Sequence, residues 1–421
     1  MFSVKKMAVV VLLGCAAMSA QAAGTKAEVI HWWTSGGESA AIKEFATAYN
    51  AAGGEWVDSA VAGGEQARST AINRMVGNNA PTAAQFNTSK QFRDLIDEGM
   101  LNTLDDIAVK QNWDKMLPTA IIDTIKVKGH YYAVPVNIHN PSWIWYSKAA
   151  FAKAGITGEP KSMDELFASL DKLKAAGLVP LALGGQGWQE KMMFDGILAY
   201  VGGSDLFLKI YRDRDVASVS SPGFQKVMST FKRLHDYVDA GSPGRNWNDA
   251  TAMLISGKAG VQIMGDWAKG EFLAANQKAG KDFDCFIGFD AKAPYVIAGD
   301  VFIMPKSTNL EVVKAQLLLA STMVAPGPQV TFNSKKGSIP IRTDVDTSAM
   351  DICAQQGITI MKDKSRQLPT STMLLPADIE GAVQDVVTNF WNKGKRSTVP
   401  CCQPAYSAVI GRRGSSSSIR L

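Results

Sequence analysis

Between residues 28 and 99, short β-forming runs alternate with helical stretches closed by glycine. This alternation limits the fold more than any other feature. "EVIHWW" (28–33) reads as a strand. "ESAAIKEFATAYNAAGG" follows as a helix, with Ala41, Phe45 and Ala48 on one face and a stop at Gly53-Gly54. "EWVDSAV" is the next strand, "QARSTAINRMVG" a helix, "TAAQF" a short strand and "SKQFRDLIDEG" again a helix. Such alternation predicts an α/β fold with a parallel sheet covered on both faces.

One sheet of this kind does not use up the chain. At 421 residues, two lobes are expected. "GHYYAVPVNIHNPSWIWYS" (129–147) is rich in β-formers, but Pro135 and Pro141 limit where it can pair, so it reads as a crossing between lobes. Ser162 and Glu165 form a capping-box signature for the helix "MDELFASLDKLKAAG". "MMFDGILAYVGG", "GFQKVMSTFKRLHDYVDAG" and residues 310–333 and 380–391 read as further helices; "VQIMGDW" and "YVIAGDVFIMP" read as strands.

The two ends differ from this body. Lys5 and Lys6, the apolar run "MAVVVLLGCAAMSA" and the Ala20-Gln21-Ala22 site form an export signal, with cleavage expected after Ala22 and a periplasmic destination. The alternative, a lipoprotein acylated at Cys15, competes with a better cleavage site downstream. From Asn392 onward the chain shows no helical periodicity and reads as a loosely ordered tail. These ends hold the positive charge. Of the formal +5, the first 22 residues carry +2 and residues 392–421 carry +6, leaving −3 on the body and no basic surface for nucleic acid.

Export bears on the cysteines. Cys285, Cys353, Cys401 and Cys402 remain after cleavage and allow three pairings; adjacent cysteines rarely pair, which favours Cys285–Cys353. No cysteine or histidine set has zinc-site spacing, so no metal and no cofactor is expected.

Catalytic signatures are absent: no H-E-x-x-H, phosphate loop or G-x-S-x-G elbow occurs. Aromatic rings beside polar groups at strand ends recur instead. Trp32 and Trp33 lead to Glu38; Gln85, Asn87 and Lys90 follow "AAQF"; Asn137 and His139 interrupt the crossing; Asp266 and Trp267 close "VQIMG"; Asp300 follows "VIAG"; Lys336 lies in "FNSKKGSI". Trp247, in "GRNWNDA", joins this set only if its loop faces the same cleft. In open α/β sheets the carboxyl ends of strands face the ligand crevice, where these positions would converge. A sugar needs such a set. Its C–H faces stack on indole rings, while its hydroxyls need carboxylate acceptors, ammonium donors and amides that do both.

The segments "HWWTSGGE", "AAQFN", "YYAVPVNIH", "LISGKAGVQIMGDWAKGEF", "AGDVFIMP" and "FNSKKGSIPIR" resemble the sugar-binding proteins of ABC importers, specifically the periplasmic glucose/mannose-binding type. The similarity runs from about residue 28 to 391. It implies a two-lobed periplasmic-binding-protein fold, each lobe a sheet flanked by helices, with one monosaccharide in the interlobe cleft. Residues 23–135 plus 292–340 would form one lobe and 136–291 plus 341–391 the other. By that resemblance Trp32 and Trp33 would stack on or flank the sugar, and Glu38, Lys90, Asp300 and Lys336 would bind its hydroxyls. Gln85, Asn87 and Trp267 are nearby contacts. The implied protein is a monomer that binds glucose without catalysing a reaction and partners an inner-membrane permease. One departure stands out: where the family carries a ligand histidine, this chain has Ser371, Thr372 and Met373. That implies one fewer donor or a shifted specificity. The alternatives are a glycoside hydrolase, which also sets aromatics beside carboxylates, and an adhesive surface protein.

Overall fold

The computed structural model describes residues 25–393 and 399–412, with only the backbone of 399–402. The export segment, Cys15 and the side chains of Cys401 and Cys402 lie outside the described residues.

Strands β1 (Thr25–His31), β2 (Gly54–Ala60) and β3 (Ala83–Asn87) form where the alternation placed them, parallel and in the order β2-β1-β3. The sheet does not stay parallel. Asp300–Ile303 runs antiparallel beside β3, with Asp300 opposite Asn87, and Ala133–Pro135 closes the edge. "YVIAGDVFIMP" is therefore two strands. Its first half, Tyr295–Ile297, pairs with Gln367–Pro369, and its second half, Asp300–Ile303, joins the first sheet.

A second, mixed sheet is ordered Phe283–Phe286, Trp143–Ser147, Ala259–Met264, Val179–Leu181. Three chain segments run side by side between the sheets: Ile138 bridges Ile339, and His139 bridges Ala298. The aromatic crossing expected at 129–147 is the first of them.

Helix α1 (Gly36–Ala51) buries Ala41, Ile42, Phe45 and Tyr49, an apolar stripe at helical spacing, with Tyr49 taking the place expected of Ala48; Glu38 is buried in its first turn. It packs on the helices Pro326–Lys336 and Trp267–Ala274. The expected 310–333 helix is divided at Pro326, which starts a second helix as its first residue. Gly37 meets the second of these neighbours backbone to backbone; a Cβ there would lie 2.4 Å from the carbonyl carbon of Gly270. Ser162 does cap its helix, accepting from the Glu165 N–H at 3.1 Å. Cys285 and Cys353 are joined by a disulfide, their Cα atoms 6.1 Å apart.

The loose tail expected from residue 392 is not what residues 399–410 form. They make a helix against Ala377–Asn392. Tyr406, Val409 and Ile410 are buried at i, i+3, i+4 spacing, and the Tyr406 hydroxyl donates to that of Tyr211 at 2.8 Å. Pro404 inside the helix hides this short period from a reading along the chain. No helix among the described residues is long and apolar enough to cross a membrane.

Candidate functional site

A cavity of about 640 Å³ opens where β1 and β3 end, where Asp300 begins its strand, and where the crossing segments pass. Because Asp300 opens an antiparallel strand, its start lies level with the end of β3. It reaches the crevice by that reversal and not as a strand's carboxyl end.

Asp300 is the most tightly held group there. Its side chain is 3% exposed. Oδ1 accepts from Gln85 Nε2 and Asn87 Nδ2, both at 3.1 Å, and Oδ2 accepts from Asn137 Nδ2 at 2.9 Å. Asn137 Oδ1 in turn accepts from the Asp300 backbone N–H at 2.6 Å. Gln85 and Asn137 stand behind the carboxylate and do not line the cavity; Asn87 does. Gln85, expected as a nearby contact, accepts from the Trp32 N–H at 3.0 Å and donates its amide to Asp300.

His31 ends β1. Its Nε2 lies 2.8 Å from Asp58, and its Nδ1 accepts from the Trp33 N–H at 3.2 Å. Just beyond the end of β1 the two indoles part. Trp32 stays half-buried on the cavity, with the Arg68 guanidinium 5.5 Å from its ring. Trp33 borders the cavity but is only 1% exposed, packed against Phe302 and Phe332 with ring centroids 5.7 and 5.2 Å away. It is therefore anchored in the core while it borders the cavity.

Glu38 and Lys336 form an ion pair at 3.2 Å, with Ser35 donating to Glu38 at 3.1 Å. Glu38 sits in the first turn of α1, so the helix N-terminus favours its charge. Burial nevertheless pushes its carboxyl above the ordinary range, against the pull of Lys336. The Lys336 ammonium lies 5.7 Å from the Trp33 ring and 5.4 Å from that of Trp267. Of the two adjacent lysines, Lys335 is the solvated one, paired with Glu44. Lys90 reaches across the cavity mouth, where its Nζ donates to the Leu374 carbonyl at 2.7 Å. His139 lies 3.8 Å from Asp266 and 4.0 Å from Asp300, edge-on to Trp267; burial drives its pKa down to about 4, so the ring is neutral. Asp266 is buried behind it, and burial raises its carboxyl well above the usual range. Trp247 lines the cavity from the start of its helix, so its loop does face the cleft.

Sequence reading missed one cluster. Lys191 Nζ lies 2.6 Å from Asp195, 3.1 Å from Glu380 and 2.9 Å from Ser371 Oγ, and all four residues line the cavity. Burial alone would depress the Lys191 ammonium, but the two carboxylates outweigh it and hold it above its ordinary value. A lysine and an aspartate four apart in the apolar run "KMMFDGIL" were the available signal. Ser371, which stands in the region where the resemblance led us to expect a histidine, is part of this cluster.

The profile of the bacterial extracellular solute-binding protein family matches residues 33–320. The chain belongs to that family. A Brucella melitensis protein described as "probable sugar-binding periplasmic protein" is 40% identical over 375 residues, 87% of each chain. A Mesorhizobium japonicum protein of the same description is 41% identical, covering 89% of this chain and 91% of its own. Among solved structures, the bacterial solute receptor AcbH, described as preferring β-D-galactopyranose, superposes with a TM-score of 0.78 at 19% identity, covering 91% of this solute-binding protein and 97% of its own chain. A chitin oligosaccharide binding protein gives 0.77 at 17% identity, with 92% and 98% covered. These likenesses establish the two-lobed fold of solute receptors. Membership is of a family of binding proteins and not of enzymes, which sets the hydrolase alternative aside.

Proposed function

We propose that this solute-binding protein captures a monosaccharide, glucose, in the periplasm and presents it to the membrane subunits of an ABC importer. The observation that carries the reading is the Asp300 carboxylate. It is buried at the cavity wall and oriented by three side-chain amides. Three amide N–H groups leave about one of a carboxylate's four acceptor positions open, the requirement of a sugar hydroxyl. Beside it, the Lys336 ammonium supplies a donor, and Trp32 and Trp267 supply half-buried indole faces for the C–H side of a pyranose. Lys90 spans the cavity mouth, so its bond to Leu374 fits a contact made as the two lobes close. The descriptions of the Brucella and Mesorhizobium relatives favour a sugar over other small solutes.

Titration of the purified protein against a panel of hexoses, followed by calorimetry and tryptophan fluorescence, tests the reading. Saturable heat and a fluorescence change with glucose are expected. No response to any aldohexose or disaccharide removes the proposal.

A further inference from the structure

Four cations line the cavity: Arg68, Lys90, Lys191 and Lys336. Three of them have their partners. Lys336 faces Glu38 at 3.2 Å and Lys90 donates to the Leu374 carbonyl. The three protons of the Lys191 ammonium match Asp195, Glu380 and Ser371. Arg68 differs. Among the described residues its side chain makes one hydrogen bond, from Nη1 to Asn87 Oδ1, at a long 3.4 Å. A guanidinium carries five N–H donors in a fixed fork, so most of them stay open. The residue is half-buried where it borders the cavity, so its fork is not sealed in the core.

The local fold holds this head in place. Arg68 lies one turn into the helix Gly64–Val76, and long helical side chains point back toward the helix N-terminus. Gly64 leaves the space: a Cβ there would lie 3.2 Å from Arg68 Nη1 and 3.5 Å from the Trp32 ring. The guanidinium sits 5.5 Å from the centroid of that ring, a seat that steadies its planar fork. A donor already ordered loses little freedom when a ligand arrives. Burial draws its pKa below the ordinary arginine value, against the pull of Glu65 and Asp300, and it stays charged.

Asn87 connects this donor to Asp300. Its amide oxygen accepts from Arg68, and its NH2 donates to Asp300 Oδ1 at 3.1 Å. A charged donor and a charged acceptor therefore stand on either side of one amide. Such a pair suits two hydroxyls of one ring, one used as acceptor and the other as donor. The charge of the wall points the same way. Its four cations face five acids, Glu38, Glu65, Asp195, Asp300 and Glu380, so no positive surplus draws an anionic ligand and the open fork is matched to neutral oxygens.

We infer that Arg68 binds the hexose directly and sets its specificity: the guanidinium donates to the oxygen of one hydroxyl while another hydroxyl of the same ring donates to Asp300. A hexose lacking the first hydroxyl strands the fork and is rejected. The inference deepens the reading of Asp300 as a sugar contact and rests on it.

The test is calorimetry of the full mature chain and of Arg68→Met with glucose and with the monodeoxyglucoses, each lacking one hydroxyl. Methionine keeps the apolar stem beside Trp32 and is a good helix former, so only the fork is lost. Arg68→Met should bind glucose about tenfold or more weakly, the scale of one charge-assisted hydrogen bond. One monodeoxyglucose should bind the wild type about as weakly and lose little more in the variant, because the bond is already gone. Should circular dichroism show that Arg68→Met does not fold, the same comparison on Arg68→Lys, which keeps the charge without the fork, decides. Near-wild-type glucose affinity in the variant overturns the contact and leaves the sugar reading standing. Equal losses for glucose and every monodeoxyglucose also overturn it, because Arg68 would then act only through Trp32 or Asn87. Silence of the wild type toward every hexose overturns both.

Discussion

Replacing Asp300 by asparagine changes one atom and removes one charge, so it isolates what the carboxylate contributes. In the wild-type protein its oxygens accept from Gln85, Asn87 and Asn137. The asparagine oxygen can keep the pair from Gln85 and Asn87 only by turning its NH2 toward Asn137. Asn137 cannot answer by rotating, because its own oxygen already accepts from the residue 300 N–H at 2.6 Å. One donor is therefore set against another, at a cost of about 1–3 kcal/mol in stability. The larger effect falls on the ligand. A hydroxyl bonded to a buried carboxylate contributes about 1.5–3 kcal/mol, or about ten- to 150-fold in Kd for glucose. Calorimetry reports the affinity, and urea unfolding monitored by far-UV circular dichroism separates it from misfolding. Asn137→Ala should also weaken binding, through loss of orientation. The double variant should lose less than the two single losses combined, because both act through one carboxylate. A folded Asp300→Asn protein with near-wild-type affinity for glucose refutes the reasoning.

The two adjacent tryptophans should separate cleanly. Trp33→Ala empties a core position and should cost about 3–5 kcal/mol of stability, read from urea midpoints. Trp32→Ala should leave the midpoint little changed and weaken glucose binding severalfold in calorimetry. His139 gives a pH dependence of known sign. Its folded pKa of about 4 lies below the ordinary histidine value, so the unfolded chain takes up a proton first as pH falls. Its contribution is complete above pH ~6.5 and is lost toward pH ~4, amounting to about 3 kcal/mol. Burial raises the Glu38, Asp266 and Glu380 carboxyls, which contribute with the opposite sign, so the measurement is the difference in unfolding free energy between wild type and His139→Gln across pH 7 to 4. Wild type should lose more over that range, and parallel curves would contradict the assignment. Finally, the Cys285–Cys353 disulfide closes a separation of 68 residues. Replacing both cysteines by serine should lower stability by about 4 kcal/mol in urea, less where the reduced chain retains structure.

Reading along the chain is strong where one element's own period carries the information. The strand-and-helix alternation placed β1, β2, β3 and α1 within a few residues of where they form, because burial of one face repeats at fixed spacing. Aromatic rings beside carboxylates, amides and lysines marked a sugar-shaped set, since each group's hydrogen-bonding capacity belongs to the residue itself. Asp300, Glu38 and Lys336 do meet at one cavity.

Tertiary contact decided the rest. Trp32 and Trp33 are chemically identical neighbours; only their tertiary partners, Gln85 for one and Phe302 with the helical Phe332 for the other, make one a cavity wall and anchor the other in the core. Gln85 came to support Asp300 for the same reason. The terminal helix carried its period over a few residues around a proline, too short to read until Tyr211 was set opposite Tyr406. Lys191 met Ser371 and Glu380 only on folding, across some 180 residues of chain. The residues' chemistry is written locally, but which group is left with an unmet hydrogen bond depends on partners distant in the chain.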